Sequence, residues 1–357
     1  MSIKTKRLIL HIGTAKTGSS ALQYFFVRTR SLLEEHSILY YQPSRRYLPW
    51  QGQSNADFLL RSVLAELKSE QSLLGDLASP KTITNDKMLI QEELKRFAEK
   101  AGQYETVILS EECFWGQGIL VPSLWQHLKS QLRALLGDSI EIDIVVYLRR
   151  QDYWLLSHWK EAVRGFRKER QTFFEFSDWC QERGLLDYNS ALLTIEEVFG
   201  HSSTIVRCYD KNSFVAGSII TDFLSATSLP FRVREECRDM IVNPSYSMSL
   251  TESLRLINSG EIPCIASERS LCKAASILSQ HECSTKAEYP LTADERTNFL
   301  ENLQEGNQML LKRYEGLTPL IKCSFPPYEV YRHNSAKDRK NAIALSKLTE
   351  QIENHEK

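Results

Sequence analysis

Residues 8–23 read LILHIGTAKTGSSALQ. An apolar run, Leu8 to Ile12, stops at Gly13. It passes through Lys16-Thr17-Gly18-Ser19-Ser20 and resumes at Ala21 and Leu22. A short buried run, a glycine-bounded loop and a return to helical spacing predict a strand feeding a helix through a tight turn. At such a junction the unpaired N–H groups and the dipole of the helix favour an anion. Gly13 and Gly18 allow the backbone to come close to it, Thr17, Ser19 and Ser20 offer hydroxyls, and Lys16 brings a positive charge. A plain glycine-rich turn is the competing reading, and it must account for all six residues at once.

The rest of the chain bounds what that loop can belong to. The 357 residues are enough to bury a sizeable core. Hydrophobic residues make up 42% and charged residues 25%, which is globular usage. A net charge of -1 supplies no basic field for nucleic acid, so no nucleic-acid partner is expected. No stretch reaches the roughly 18–20 apolar residues of a membrane span. The apolar run near the N-terminus is about six residues, shorter than the roughly 7–15 of a signal-peptide core. The expectation is a cytoplasmic protein without a transmembrane segment. Eight cysteines are thinly spread with no C-x-x-C spacing, which reads as reduced structural thiols and no metal site.

Four further runs resemble the first: Ile38–Tyr41, Thr106–Leu109, Ile140–Leu148 and Thr204–Cys208. Short, nearly continuous β-branched runs are how strands of a sheet covered on both faces read. Between them, Ser19–Leu33, Ala56–Leu67 and Leu124–Leu136 place leucine and phenylalanine at helical spacing. Strands alternating with helices predict an α/β protein with a central, mostly parallel sheet and helices on both faces. After Cys208 the signals are helical, at Ala216–Ala226, Leu250–Ile257, Ser270–Ser279 and Ala293–Tyr314. The expectation is one domain over residues 1–330, with helical additions within 210–315. A polar tail over 335–357 carries a thin apolar stripe, suited to a peripheral helix or to partial disorder.

The lysine position separates the loop from better-known phosphate loops. The ATP-binding form G-x-x-x-x-G-K-[ST] has lysine after the second glycine; here Lys16 precedes it. The dinucleotide form G-x-G-x-x-G is missing. A metal-assisted nucleotide site also needs a carboxylate at a later strand end, whereas IEIDIVVYLRR ends in Arg149 and Arg150.

HIGTAKTGSSALQ resembles the loop of sulfotransferases that use 3′-phosphoadenosine 5′-phosphosulfate, whose usual K-T-G-T-T becomes K-T-G-S-S here. The resemblance implies a P-loop-type, three-layer α/β fold. It implies that Gly13, Thr14, Ala15, Lys16, Thr17, Gly18, Ser19 and Ser20 bind the 5′-phosphosulfate end of the donor, with Lys16 aiding departure of the nucleotide. A second signature of that family, a strand ending in arginine and a serine eight residues on, is matched by Arg149 and Ser157 in VVYLRRQDYWLLSHW. Both would hold the 3′-phosphate; Arg150 stands where the family often has asparagine. TIVRCYDK, NPSYSMSLTESLRLIN and EGNQMLLKRY are weaker echoes, so the likeness spans roughly Arg7 to Tyr314. The R-K-G-x-x-G motif of cytosolic small-molecule sulfotransferases is absent near the C-terminus. That directs the expected acceptor toward a saccharide, polysaccharide precursor or glycolipid hydroxyl.

Such a hydroxyl must lose its proton, usually to a carboxylate or histidine. Glu111 and Glu112 follow the Thr106–Leu109 run. Adjacent residues on extended backbone face opposite ways, so one of them turns toward the site. Bacterial relatives often carry Ser-Ser-Glu there, which makes Glu112 the first candidate base and Glu111 the second, with capping of the next helix as the alternative role. His11, just before the loop, is a further catalytic candidate, and a structural strand histidine is its alternative. The run Arg164–Arg170 reads either as an acceptor contact or as a solvated helix end. Two other functions stay open from sequence alone: a nucleotide-binding module without turnover, and a P-loop kinase.

Overall fold

The structure, a computed structural model, describes residues 5–47, 53–67, 87–165, 167–230, 246–281, 287–331 and 335–356. In chain order the elements are β1 (Arg7–His11), α1 (Ser19–Arg28), α2 (Arg30–Glu35), β2 (Ile38–Tyr40), α3 (Asp57–Glu66), α4 (Lys87–Ala101), β3 (Thr106–Ser110), α5 (Cys113–Leu120), α6 (Leu124–Leu136), β4 (Glu141–Leu148), α7 (Gln151–Arg164), α8 (Phe173–Glu182), α9 (Tyr188–Phe199), β5 (Thr204–Cys208), α10 (Ile219–Ala226), α11 (Met248–Asn258), α12 (Glu268–His281), β6 (Glu288–Tyr289), α13 (Ala293–Glu301), α14 (Gln304–Arg313), β7 (Glu329–Val330) and α15 (Ser335–Glu356). They group into two compact units. The first takes residues 1–150, 183–242 and 305–321; the second takes 151–182, 243–304 and 322–357.

The first unit is an α/β fold with a central parallel sheet and helices on both faces. Its five strands form one parallel sheet in the order β2-β3-β1-β4-β5. All five apolar runs read from the sequence are these strands. Alternation along them builds two cores. Leu8, Leu10, Val107, Leu109, Ile144 and Val146 face one way, into a cluster with α3, α4, α6 and α9. Ile9, Ile108, Val145 and Tyr147 face the other way, against Leu22, Phe25 and Phe26 of α1 and Ile220, Phe223 and Leu224 of α10. Burial on both faces explains why the strands are continuously apolar.

The helix expected over Ser19–Leu33 is two helices. Thr29 separates them, its amide and its hydroxyl both donating to the Phe25 carbonyl, at 2.9 and 2.8 Å. A threonine side chain taking its own helix's carbonyl favours such a bend. Ala293–Tyr314 likewise divides into α13 and α14. Helices α4, α8 and α9, and the short parallel pair β6–β7, had no reading from the sequence.

The second unit is mainly helical. Trp159, Phe173, Phe176 and Tyr289 are buried in it. The 335–357 stretch, except Lys357, which lies outside the described residues, is helix α15. Its stripe, Ala342, Leu345 and Thr349, is fully buried, so this helix packs on one face. Among the described residues no helix is long and apolar enough to cross a membrane. Among the described residues Cys113, Cys264 and Cys272 are free thiols. Cys237, Cys283, Phe166 and the 243–245 part of NPSYSMSLTESLRLIN lie outside the described residues.

Candidate functional site

Parallel strands point their C-terminal ends to one edge of a sheet, where ligands of α/β proteins bind. In the first unit that edge collects the loop after β1, the two glutamates after β3 and Arg149 after β4.

The loop stays laddered to β4 as it leaves the sheet. The Thr14 amide donates to the Tyr147 carbonyl at 3.1 Å, and the Tyr147 amide to the Gly13 carbonyl at 2.9 Å. Three residues then take positive φ: Gly13 at 97°, Lys16 at 65° and Gly18 at 80°. Gly18 is the N-cap of α1, and no side chain caps that helix end. The opening amides of α1 are thus left for an anion. Lys16 is half-buried.

The hydroxyls divide differently from the sequence reading, which offered Thr17 beside Ser19 and Ser20 as anion donors. Thr17 is fully buried and donates its hydroxyl to the Thr14 carbonyl. Thr14 is fully buried too, its hydroxyl on the Tyr147 carbonyl at 3.3 Å. These two side chains tie the loop to itself and to β4. Ser19 is buried and Ser20 half-buried, and Ala15, Lys16, Gly18 and Ser20 are the loop residues with solvent exposure.

Arg149 belongs to this loop spatially. Its guanidinium donates to the Lys16 carbonyl at 3.3 Å and lies over the Tyr209 ring, 5.6 Å from the centroid. Its own carbonyl accepts the Tyr188 hydroxyl at 2.9 Å. Tyr209 also limits Gly18: a Cβ there would stand 2.9 Å from its ring and 2.6 Å from Ile219. Ser157 lies on α7 in the second unit, next to His158, whose ring stacks on Trp154 at 4.7 Å. Arg150 is buried.

The two glutamates face apart, but not by strand alternation: β3 ends at Ser110, and Glu112 has helical backbone at φ -69° and ψ -19° at the start of α5. Glu111 turns inward and is fully buried. It accepts the Ser54 hydroxyl at 2.6 Å and the Cys113 amide at 3.1 Å, which caps the start of α5. Burial, and then the nearby Glu112 charge, push its carboxyl up to about 7. Glu112 turns back to the loop side and is half-buried. A Cβ on Gly13 would stand 3.0 Å from the Glu112 Cβ and 3.1 Å from its Cα, so the glutamate backbone lies against the first loop residue. Its carboxylate accepts from Gln23 Nε2 at 3.0 Å.

His11 is fully buried, with Tyr147 and Phe223 edge-on to its ring. Burial pulls its imidazole down to about 4, so the ring is neutral near pH 7. Its Nδ1 lies 2.9 Å from Ser110 Oγ. With no solvent-facing surface it touches no substrate in this geometry, and a structural place replaces the catalytic one considered from sequence. Sequence reading missed Gln23, Ser110, Tyr188 and Tyr209. Gln23 left a trace, being a glutamine beside Leu22 on a helix whose buried side past Ser19 is otherwise leucine and phenylalanine.

No family model matches the chain. An uncharacterized protein of Archaeoglobus fulgidus is 32% identical over 191 residues, covering 53% of this chain and 50% of the relative. The chain thus spans about half the length of the curated relative it matches. A crystal structure of a sulfotransferase from Alicyclobacillus acidocaldarius aligns with a TM-score of 0.37 and 14% identity, over 64% of this chain and 87% of that one. That likeness is too slight to bear on function.

Proposed function

We propose that this protein is a sulfotransferase that moves a sulfuryl group from 3′-phosphoadenosine 5′-phosphosulfate to a hydroxyl of a saccharide, polysaccharide precursor or glycolipid. One observation carries the reading: the Arg149 guanidinium reaches the carbonyl of Lys16, in a loop that opens an uncapped helix. A lysine and an arginine from separate strand ends and a set of helix amides then gather at one edge of the sheet. A doubly phosphorylated donor needs two anion grips, and the residues present fit it.

The donor supplies an activated sulfuryl group on a nucleotide leaving group. The chain does the rest. Backbone amides at the start of α1 hold the 5′-phosphate end. Lys16 offsets the negative charge that grows on the leaving oxygen. Arg149 grips the 3′-phosphate with parallel hydrogen bonds. Glu112 takes the proton of the acceptor hydroxyl, and the freed oxygen bonds to sulfur as the bond to the nucleotide breaks. The saccharide-type acceptor rests on the sequence alone.

Calorimetric titration tests the donor. The wild-type protein is expected to bind 3′-phosphoadenosine 5′-phosphate without magnesium. Lys16→Ala and Arg149→Ala should each weaken binding by about 10-fold or more, the worth of one charged hydrogen bond. Preference for ATP with magnesium would overturn the reading in favour of a kinase. Bisphosphate binding with no turnover of the sulfated donor on any hydroxyl would leave a binding module.

A further inference from the structure

Three residues outside the donor loop connect to Glu112. His11 ends β1, Ser110 ends β3, and the parallel register sets them side by side. Gln23 lies one turn into α1. Its Nε2 donates to Ser110 Oγ at 3.1 Å and to Glu112 Oε2 at 3.0 Å. His11 Nδ1 stands 2.9 Å from the same Ser110 oxygen. His11 and Ser110 are fully buried and Gln23 is 2% exposed, so no water is at hand to replace a missing partner.

The protons in this chain have a preferred order. Ser110 Oγ accepts from Gln23, which leaves its single hydrogen for the imidazole. It can be placed there when Nδ1 is bare and the ring is neutral with its proton on Nε2. His11 Nε2 has no hydrogen-bond partner among the described residues, so this tautomer leaves its N–H unsatisfied, a cost set against the bonds gained at Ser110 and Gln23. The opposite tautomer would aim two N–H donors at Ser110 and leave its hydroxyl hydrogen with no acceptor among the three. The serine in turn holds the Gln23 amide with its NH2 group facing both Ser110 and Glu112. A flipped amide would set its carbonyl against the Glu112 carboxylate.

We infer that His11, Ser110 and Gln23 are positioning residues that aim the Glu112 carboxylate, with His11 setting the direction of every hydrogen bond in the chain. The inference rests on the reading of Glu112 as the base. It adds a coupling: Gln23 rides on the helix whose first turn opens the donor loop, so the loop and the base share one rigid element. Burial of His11 then has a use, because a charged imidazole would reverse the Ser110 hydrogen bond.

Two measurements test it. In the full-length protein with 15N-labelled histidine and glutamine side chains, His11 is expected as the neutral Nε2–H tautomer at pH 7. Ser110→Ala and Glu112→Gln should each shift the Gln23 side-chain amide signals, which are identified by their loss in Gln23→Met. A proton on Nδ1, or Gln23 signals indifferent to both substitutions, overturns the inference. The second measurement is hydrolysis of 3′-phosphoadenosine 5′-phosphosulfate, with water as acceptor. Gln23→Met, close to glutamine in shape but without the donor, should lower kcat about 10-fold. Its KM, and its Kd for the bisphosphate, should stay within about twofold of wild type, which also shows that the variant folds. Added to Glu112→Gln, the same substitution should cost nothing more. Full activity in Glu112→Gln would sink the base reading and this inference together. Loss in Glu112→Gln with no loss in Gln23→Met, or with additive losses, would sink the inference alone.

Discussion

At the scale of single residues, two buried titratable groups pull stability in opposite directions. Glu111 holds its proton up to about 7 in the folded chain, against an ordinary 4.5. Between those values the folded state carries a proton the unfolded state has lost, so Glu111 makes stability fall as pH rises through that window. His11 is held down to about 4 from 6.5. There the unfolded state carries the extra proton, so His11 makes stability rise as pH climbs from about 4 to 6.5. The two slopes oppose one another where they overlap, and substitution separates them. Glu111→Gln, which can keep a hydrogen bond from Ser54, should gain stability relative to wild type as pH rises from about 4.5 to 7. His11→Phe should gain relative to wild type as pH falls from about 6.5 to 4. Denaturant unfolding at a series of pH values reads both; a difference that stays flat with pH would contradict the assignment of that group.

At the scale of elements, the β1–loop–α1 unit depends on glycine for a steric reason and not only for flexibility. Gly13 sits at φ 97°, and any Cβ would meet the backbone of Glu112 at 3.1 Å. Backbone cannot rotate away as a side chain can. Gly13→Ala is therefore expected to cost about 2–4 kcal/mol from unfavourable φ and overlap together, measured by denaturant unfolding. It should also weaken bisphosphate binding, because loop and Glu112 must move apart. A variant as stable as wild type would mean that the two segments are not in contact. The loop's outline was legible in KTGSS, since a strand, a glycine and hydroxyl residues at a helix start are local features. Which hydroxyls face outward was not legible. Thr14 turns inward because Tyr147, on a strand more than a hundred residues away, offers its carbonyl, and Thr17 turns inward onto the carbonyl of Thr14.

At the scale of the whole molecule, the second unit is organised around a buried ion pair. Asp152 on α7 is fully buried, and Arg296 on α13 is 1% exposed. The guanidinium donates to the carboxylate through Nε at 3.1 Å and through a second nitrogen. It lies over the rings of Tyr289 and Phe325, 3.9 and 4.1 Å from their centroids, and the Tyr289 hydroxyl donates to the Asp152 carbonyl at 2.6 Å. Removing one member strands the other charge away from water, at roughly 3–5 kcal/mol. Arg296→Met should lower the free energy of unfolding by that amount in denaturant titration, and Arg296→Met with Asp152→Leu should recover a large part of it. No recovery in the double variant would show that the aromatic packing, and not the charge pair, is what the arginine supports. In the sequence each of these residues looks like an ordinary surface charge, because nothing within a few positions announces its partner.

The sequence by itself determined the elements whose signals are local. Five β-branched runs became the five strands of the parallel sheet, and the glycine-bounded turn after the first became the loop at a helix start. The reading of Glu111 and Glu112 presumed extended backbone, whereas Glu112 already has helical backbone at the start of α5. Tertiary structure alone decided which way each turned, Glu111 toward Ser54 and Glu112 toward Gln23. It also decided that Arg149 meets Lys16 and that His11 and Gln23 both meet Ser110. Those contacts join residues about 90 to 130 positions apart and arise only when β3 and β4 flank β1 in register. Hydrophobic periodicity records which face of an element is buried; it holds no record of which other element lies against that face.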